Sequence, residues 1–125
     1  MVDITPLLKK GSHLINSYGA GGFIISNQKF EGSALILPSG VHSWNVKDIS
    51  GINIESFAEV IKEANDIEIL LLGTGKTMQF IDDKIVREIK RSKITVDMMD
   101  TGAACRTYNV LLAEERKVAA ALIAV

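Results

Sequence analysis

Apolar residues change their spacing once along this chain, near residue 50. Before that point they come in short bursts separated by glycine-bearing turns; after it, compact apolar runs alternate with stretches of helical period. In the first part, residues 14–18, 23–25, 29–30 and 34–37 read as strands. Gly19, Gly21 and Gly22 break the first from the second. Asn27 and Gln28 suit a tight turn, and Pro38, Ser39 and Gly40 stand where a β-turn wants them. These pieces predict an antiparallel meander.

The second part has longer elements. Asn53 suits a helix N-cap, and Ile54, Phe57, Ala58 and Ile61 follow it at helical spacing. Residues 67–72 form an apolar run ending at Gly73, the pattern of a parallel strand covered on both faces. Asp82 caps a second helix, with Ile85, Val86 and Ile89 inward and Lys84, Arg87, Lys90 and Arg91 outward. Residues 94–99 read as another strand. A third helix is expected from Ala103 or Ala104, presenting Ala104, Tyr108, Leu111 and Leu112 on one face, and residues 118–123 close the sheet. Strand, helix, strand, helix, strand implies right-handed crossovers. The expected fold class is therefore α/β, a mostly parallel C-terminal β-α-β-α-β core extended by the N-terminal antiparallel meander. A length of 125 residues predicts one domain: an N-terminal extension over 1–12, a β-rich part over 13–50 and the βαβαβ part over 51–125.

Composition narrows the function classes. Apolar residues make up 47% of the chain and aromatics only 6%, with a mean hydropathy of +0.21. Strands buried on both faces have this character, and so does a homo-oligomer that hides part of its surface. Basic residues number 14 and acidic residues 15, so neither the basic stripe of a nucleic-acid binder nor a polybasic membrane patch is expected. The lone cysteine, Cys105, forms no internal disulfide, which fits a reducing compartment. Residues 1–11 lack the apolar core of a signal peptide and the Arg-rich look of a transit peptide. The longest apolar run, 118–125, is far below the roughly 18–20 residues that span a bilayer. A cytoplasmic protein without membrane insertion is the expectation.

Two glycine-bearing loops hold the candidate chemistry. Gly73, Thr74, Gly75, Lys76 and Thr77 look like the end of a phosphate-binding loop, but the full pattern needs a glycine at position 70, where this chain has Leu70. A glycine turn leaving a strand is the simpler reading, and ATP hydrolysis is not expected. Asp100, Thr101, Gly102, Ala103, Ala104, Cys105 and Arg106 follow a strand and open a helix. Backbone N–H groups at such a terminus form a ready anion site, and Arg106 supplies a charged fork. Asp100 or Thr101 as a plain N-cap, with Arg106 exposed, accounts for the same residues. Open α/β sheets bind ligands at the carboxyl ends of their strands. If the two strands are neighbours, Gly73, Thr74 and Gly75 face Asp100, Thr101, Gly102, Ala103 and Arg106 across one crevice, which would hold a small anion or a partner's carboxylate. Cys105 is the alternative nucleophile, its thiol acidified by the helix terminus and Arg106. Its competing role is that of a small buried hydrophobe, favoured because His13 and His42 lie in the other part of the chain. Two histidines and one cysteine, widely separated, have no metal-ligand spacing. Trp44 is expected in the core. No cofactor is expected.

Several of these stretches resemble one family. They are Gly22-Phe23, Phe30-Glu31-Gly32-Ser33, Leu71-Leu72-Gly73-Thr74-Gly75, the run from Met99 through Asp100-Thr101-Gly102-Ala103-Ala104-Cys105-Arg106 to Leu111, and Val118-Ala119-Ala120-Ala121-Leu122. They look like the small Mth938-like α/β domain family, largely of unknown function, that includes a mitochondrial assembly factor for respiratory complex I. The resemblance runs over about residues 15–123. It implies three layers around a mixed sheet, and binding or assembly ahead of catalysis. In the mitochondrial branch the stretch matching 101–106 keeps the cysteine without the Gly-Ala pair and the arginine, so this chain resembles the bacterial branch. A protein partner, such as respiratory complex subunits, is thus expected by analogy. The alternative is a small-anion binder or an enzyme using the crevice.

Overall fold

The computed structural model describes residues 2–3 and 13–125. The N-terminal extension expected over 1–12 lies outside them, apart from the short strand β1 (Val2–Asp3). Two sheets organise the rest. The smaller is an antiparallel meander of β1, β2 (Ile15–Gly19), β3 (Gly22–Ile25) and β4 (Gln28–Glu31), in that order. The larger is mixed: β5 (Ala34–Leu37), β6 (Gly40–Ser43), β7 (Ile69–Gly73), β8 (Thr95–Met99) and β9 (Val118–Leu122), in the spatial order β6-β5-β9-β7-β8. β7 pairs in parallel with β8 and β9, while β5 is antiparallel to β6 and β9. The α/β class and the mixed, largely parallel C-terminal core are as the sequence predicts.

Local chemistry sets the turns. β2 and β3 close with Gly19 opposite Gly22, leaving Ala20 and Gly21 in left-handed conformations at φ 53° and 79°. β3 and β4 close through Ser26 and Asn27, also left-handed, one residue earlier than the Asn27-Gln28 turn expected. Paired positive φ values give a two-residue turn the twist that antiparallel strands need. Pro38 and Ser39 turn β5 into β6, as their residue types indicate.

The expected meander takes in one strand too many. β5 leaves it and pairs with β9, with Ala34 opposite Leu122 and Leu35 opposite Ala121. β9 therefore lies at the centre of the large sheet. The chain crosses from β7 to its neighbour β8 through α2 (Asp83–Arg91). It then returns past β7 to β9 through α3 (Thr101–Ala113). The two crossovers run in opposite directions, so crossovers of one hand place their helices on opposite faces.

Burial bears this out. Leu35, Leu37, Leu70, Leu72, Ala119 and Ala121 point to one face and pack with Phe57, Val60 and Ile89. Ala34, Ile36, Leu71, Ala120 and Leu122 point to the other, against Ala104, Cys105 and Tyr108 of α3 and Ile15, Phe23 and Ile25 of the meander. Three layers result, with α3 and the small sheet sharing one outer layer. Strands closed on both faces account for the apolar surplus within one chain.

The helix after Asn53 departs from expectation. Asn53 caps a 3₁₀ turn, Ile54–Phe57, through a reciprocal pair with Ser56, and α1 (Ala58–Lys62) follows. The change of period rotates the face: Phe57 and Val60 are buried, whereas Ile54 and Ala58 are exposed and Ile61 only half-buried. Three residues per turn in place of 3.6 moves each later side chain around the axis. Trp44 is buried, packs at a tilt of 55° against Phe57 with ring centroids 5.8 Å apart, and donates its indole N–H to the Ser56 carbonyl at 2.8 Å.

Asn109 ties the meander to α3. Its side-chain oxygen accepts from the Ile15 N–H at 3.0 Å and its amide donates to the Ile15 carbonyl at 2.8 Å, both in the core. Asn109→Ala leaves both backbone groups of Ile15 without partners. It is expected to lower stability by about 2–4 kcal/mol in chemical denaturation, with far-UV circular dichroism of the native state preserved.

Candidate functional site

β7 and β8 are neighbours, so the loops after them meet as anticipated. Their contact is direct. A Cβ on Gly73 would stand 3.0 Å from the Thr101 Cα, so no larger residue fits at the end of β7 without moving α3. Thr101 is fully buried, and its hydroxyl accepts from the Gly75 N–H at 2.9 Å and donates to the Ile123 carbonyl at 2.7 Å. The Thr101 N–H in turn donates to the Gly75 carbonyl at 2.8 Å. One threonine therefore joins the ends of β7, β9 and α3.

Asp100 is the N-cap of α3, accepting from the Ala103 N–H at 2.9 Å, and the helix begins at Thr101, two residues earlier than the apolar pattern indicates. A cap of this kind satisfies a donor that a bound anion would otherwise take. Thr74 is buried too. Its backbone N–H donates to the Met99 carbonyl at 2.9 Å, while its hydroxyl donates to the Thr77 carbonyl at 2.7 Å and accepts from the Gln79 N–H at 3.0 Å. Residues 75–80 are thus an ordered loop without regular structure. The loop carries Phe80 and Met78 at the surface, 74% and 45% exposed.

Arg106 is exposed on the first turns of α3, and its Nη1 donates to the Tyr18 hydroxyl at 3.0 Å. Tyr18 comes from β2, 88 residues away, and sequence reasoning passes over it. Gly102 is what admits it: a Cβ there would lie 2.7 Å from the Tyr18 oxygen. The signal in the sequence is the Gly102 and Arg106 spacing, one turn apart on one helix face.

Cys105 sits in the place of a small buried hydrophobe. The side chain is fully buried in the layer shared by α3 and the meander, and burial pushes its thiol up from 9.0 to about 12, against a smaller opposing pull from Arg106. A thiol with no solvent access and no thiolate at neutral pH cannot attack. Among the described residues, Ser39, His42 and Glu63 also form a cluster of hydroxyl, imidazole and carboxylate. There the Ser39 hydroxyl donates to Glu63 at 2.6 Å and sits 3.0 Å from His42 Nε2. A hydroxyl has one proton, and this one goes to the carboxylate, so His42 is the donor to Ser39 and not its base. Glu63 also accepts from the Ser39 N–H at 2.8 Å, which makes the cluster a clamp on the β5–β6 turn.

The molecule is thus a small three-layer α/β domain whose loop chemistry is turned inward, leaving contact groups at its surface. A model of a protein family of unknown function, DUF498/DUF598, matches residues 15–123, and the chain belongs to that family. It is 37% identical over 109 residues to NADH dehydrogenase [ubiquinone] 1 alpha subcomplex assembly factor 3 of Xenopus tropicalis; the match covers 87% of this chain and 60% of that protein. The chain thus spans about three-fifths of that relative's length. A crystal structure described as an outer membrane protein of Bartonella henselae superposes with a TM-score of 0.85 at 39% identity, covering 92% of this chain and 97% of that one. An Mth938-like domain from Bordetella pertussis superposes at 0.78 with 27% identity, covering 98% and 92%. Among the described residues of this chain, no helix is long and apolar enough to cross a membrane.

Two predictions follow from burial. Cys105 is expected to resist iodoacetamide in the native protein at pH 8 and to react fully in denaturant, as mass spectrometry would show. Its raised pKa also sets a pH window. Between pH 9 and about 12 the unfolded chain releases the thiol proton and the native state keeps it. The unfolded state then binds fewer protons, so this contribution is intact below pH 9 and declines as pH rises, by up to about 1.4 kcal/mol per pH unit. Tyr108, raised by burial, acts in the same direction from a higher starting point. Denaturation midpoints measured from pH 7 to 11 should fall above pH 9 in the wild type and begin falling later in Cys105→Ala.

Proposed function

We propose that this protein is a non-catalytic binding or assembly protein that docks on protein partners at the end of the sheet where β7 and β8 deliver their loops. The observation that carries this reading is Phe80, an aromatic side chain 74% exposed on a loop that Thr74 holds in one conformation. A large apolar group displayed on an ordered loop contributes affinity at low entropic cost, the usual character of an interface anchor. Met78 adds adaptable apolar area beside it in sequence.

Arg106 supplies the polar complement at this end, as the group that pairs with a partner's carboxylate. Tyr18 fixes its guanidinium, so less side-chain freedom is lost on pairing. In this reading Gly73, Thr74, Gly75, Asp100, Thr101, Gly102 and Ala103 form the frame beneath the surface. A small free anion is the lesser alternative, because the loop donors at Thr101 and Ala103 already have internal partners.

The partner class follows from relatives. Proteins named as assembly factors of NADH dehydrogenase are 34% to 37% identical to this chain over 109 aligned residues, which favours subunits of a respiratory complex as partners. Action at the cytoplasmic face, without membrane insertion, is part of the same proposal.

Affinity capture of chromosomally tagged protein, quantified by mass spectrometry, tests it against Phe80→Ala and Arg106→Ala. Both side chains are exposed, so each variant should keep its thermal midpoint within a few degrees. Respiratory complex subunits are expected to be enriched with the wild type and reduced at least fivefold with Phe80→Ala. Equal recovery with both variants would remove this surface from the interface, and a deletion strain with normal complex level would remove the partner class.

A further inference from the structure

At the opposite end of the large sheet, where β7 and β9 begin and β5 finishes, a cleft of about 280 Å³ opens to the surface. Its lining is of two kinds. Leu37, Leu112 and Val118 make an apolar floor, while Arg116 and Lys117 bring positive charge. Arg116 is steadied by the Glu68 carboxylate at 3.0 Å, and Lys117 has no ion-pair partner among the described residues. His13 also borders the cleft, and Asp66 is the single carboxylate among the described residues that line it.

Tyr108 is the informative member. It projects from α3, is only 2% exposed, and its hydroxyl has no hydrogen-bond partner among the described residues. Buried tyrosine hydroxyls nearly always have one. Every described side-chain oxygen or nitrogen that is sealed from solvent does have a partner here, so the Tyr108 hydroxyl keeps a small opening. The cleft it lines provides that opening. A donor bordering a recess that Arg116 and Lys117 also line is placed to meet an acceptor that carries negative charge.

We propose that this cleft binds a small organic monocarboxylate. One carboxylate oxygen accepts from the Tyr108 hydroxyl, the charge is balanced by Lys117 and Arg116, and the hydrocarbon part lies on Leu112 and Val118. The volume is at the small end of ligand pockets, which limits the occupant to a short chain or a single ring. Asp66 disfavours a dianion, so inorganic phosphate is the weaker ligand. The site is independent of the partner surface proposed above, which lies at the other end of the strands.

The test is an NMR titration of the full chain, labelled with nitrogen-15, with hexanoate, benzoate and inorganic phosphate as separate probes. Hexanoate or benzoate is expected to give saturable shifts at the amides of Tyr108, Leu112, Lys117 and Val118. Tyr108→Phe keeps the ring and removes only the hydroxyl. It should weaken binding about tenfold or more, the scale of a hydrogen bond to a charged group, while leaving the ligand-free Tm unchanged or raised. Lys117→Gln should weaken binding as well. Absence of saturable shifts at millimolar carboxylate would overturn the site, as would equal affinity in Tyr108→Phe. Tighter binding of phosphate than of either carboxylate would overturn the ligand class.

Discussion

The fold is arranged around one buried strand whose three middle positions are alanine. β9 runs Val118-Ala119-Ala120-Ala121-Leu122 through the middle of the mixed sheet, buried along its whole length. Ala119 and Ala121 face one layer and Ala120 the other, so small side chains let α3 lie close on one side while Leu35, Leu70 and Leu72 fill the opposite side. A central strand covered on both faces must have every neighbour in place before it is buried. Its antiparallel partner β5 comes from the first third of the chain and its parallel partner β7 from the middle. Two halves with different local character are thereby fused into one packed unit.

Closing both faces leaves backbone groups to be satisfied where strands end, and short polar side chains do this. Thr101 serves the ends of β7 and β9 at once, Thr74 orders the loop that follows β7, and Asn109 stands in for a strand edge against Ile15. Two of the positions that attract attention as ligand-binding candidates, Thr74 and Thr101, are instead spent on the protein's own backbone. A buried donor or acceptor left unpaired costs on the order of 1–3 kcal/mol, about twice the net worth of a typical hydrogen bond, so such inward use is favoured. What remains outside is Arg106 steadied by Tyr18, the Phe80 loop, and at the far end the recess around Tyr108.

Cys105 shows how the same residues read differently in one dimension and in three. A thiol in the first turns of a helix, next to an arginine, has the local features of an activated nucleophile. Desolvation reverses the outcome, and the burial that decides it comes from the meander, more than 70 residues earlier in the chain. Tyr18 and Tyr108 are the converse. Each meets a polar group or an opening only because distant elements converge there.

Features that depend on near neighbours are legible in the residues alone. Alternation and glycine placement defined β2, β3 and β4, the Asp82 and Asp100 caps were legible as residue types, and the neighbouring of the two glycine loops followed from strand–helix–strand order. Which strands share a sheet is set by contacts between distant parts of the chain. β5 has the same short apolar look as the meander strands, and nothing local records that its hydrogen bonds go to β9, 84 or more residues later. The same holds for the face of α1, where a 3₁₀ turn capped by Asn53 shifts the buried positions to Phe57 and Val60. Period and caps act within a turn or two of the chain. Strand partners, burial and the fate of a polar group are fixed by contacts between residues that the sequence keeps far apart.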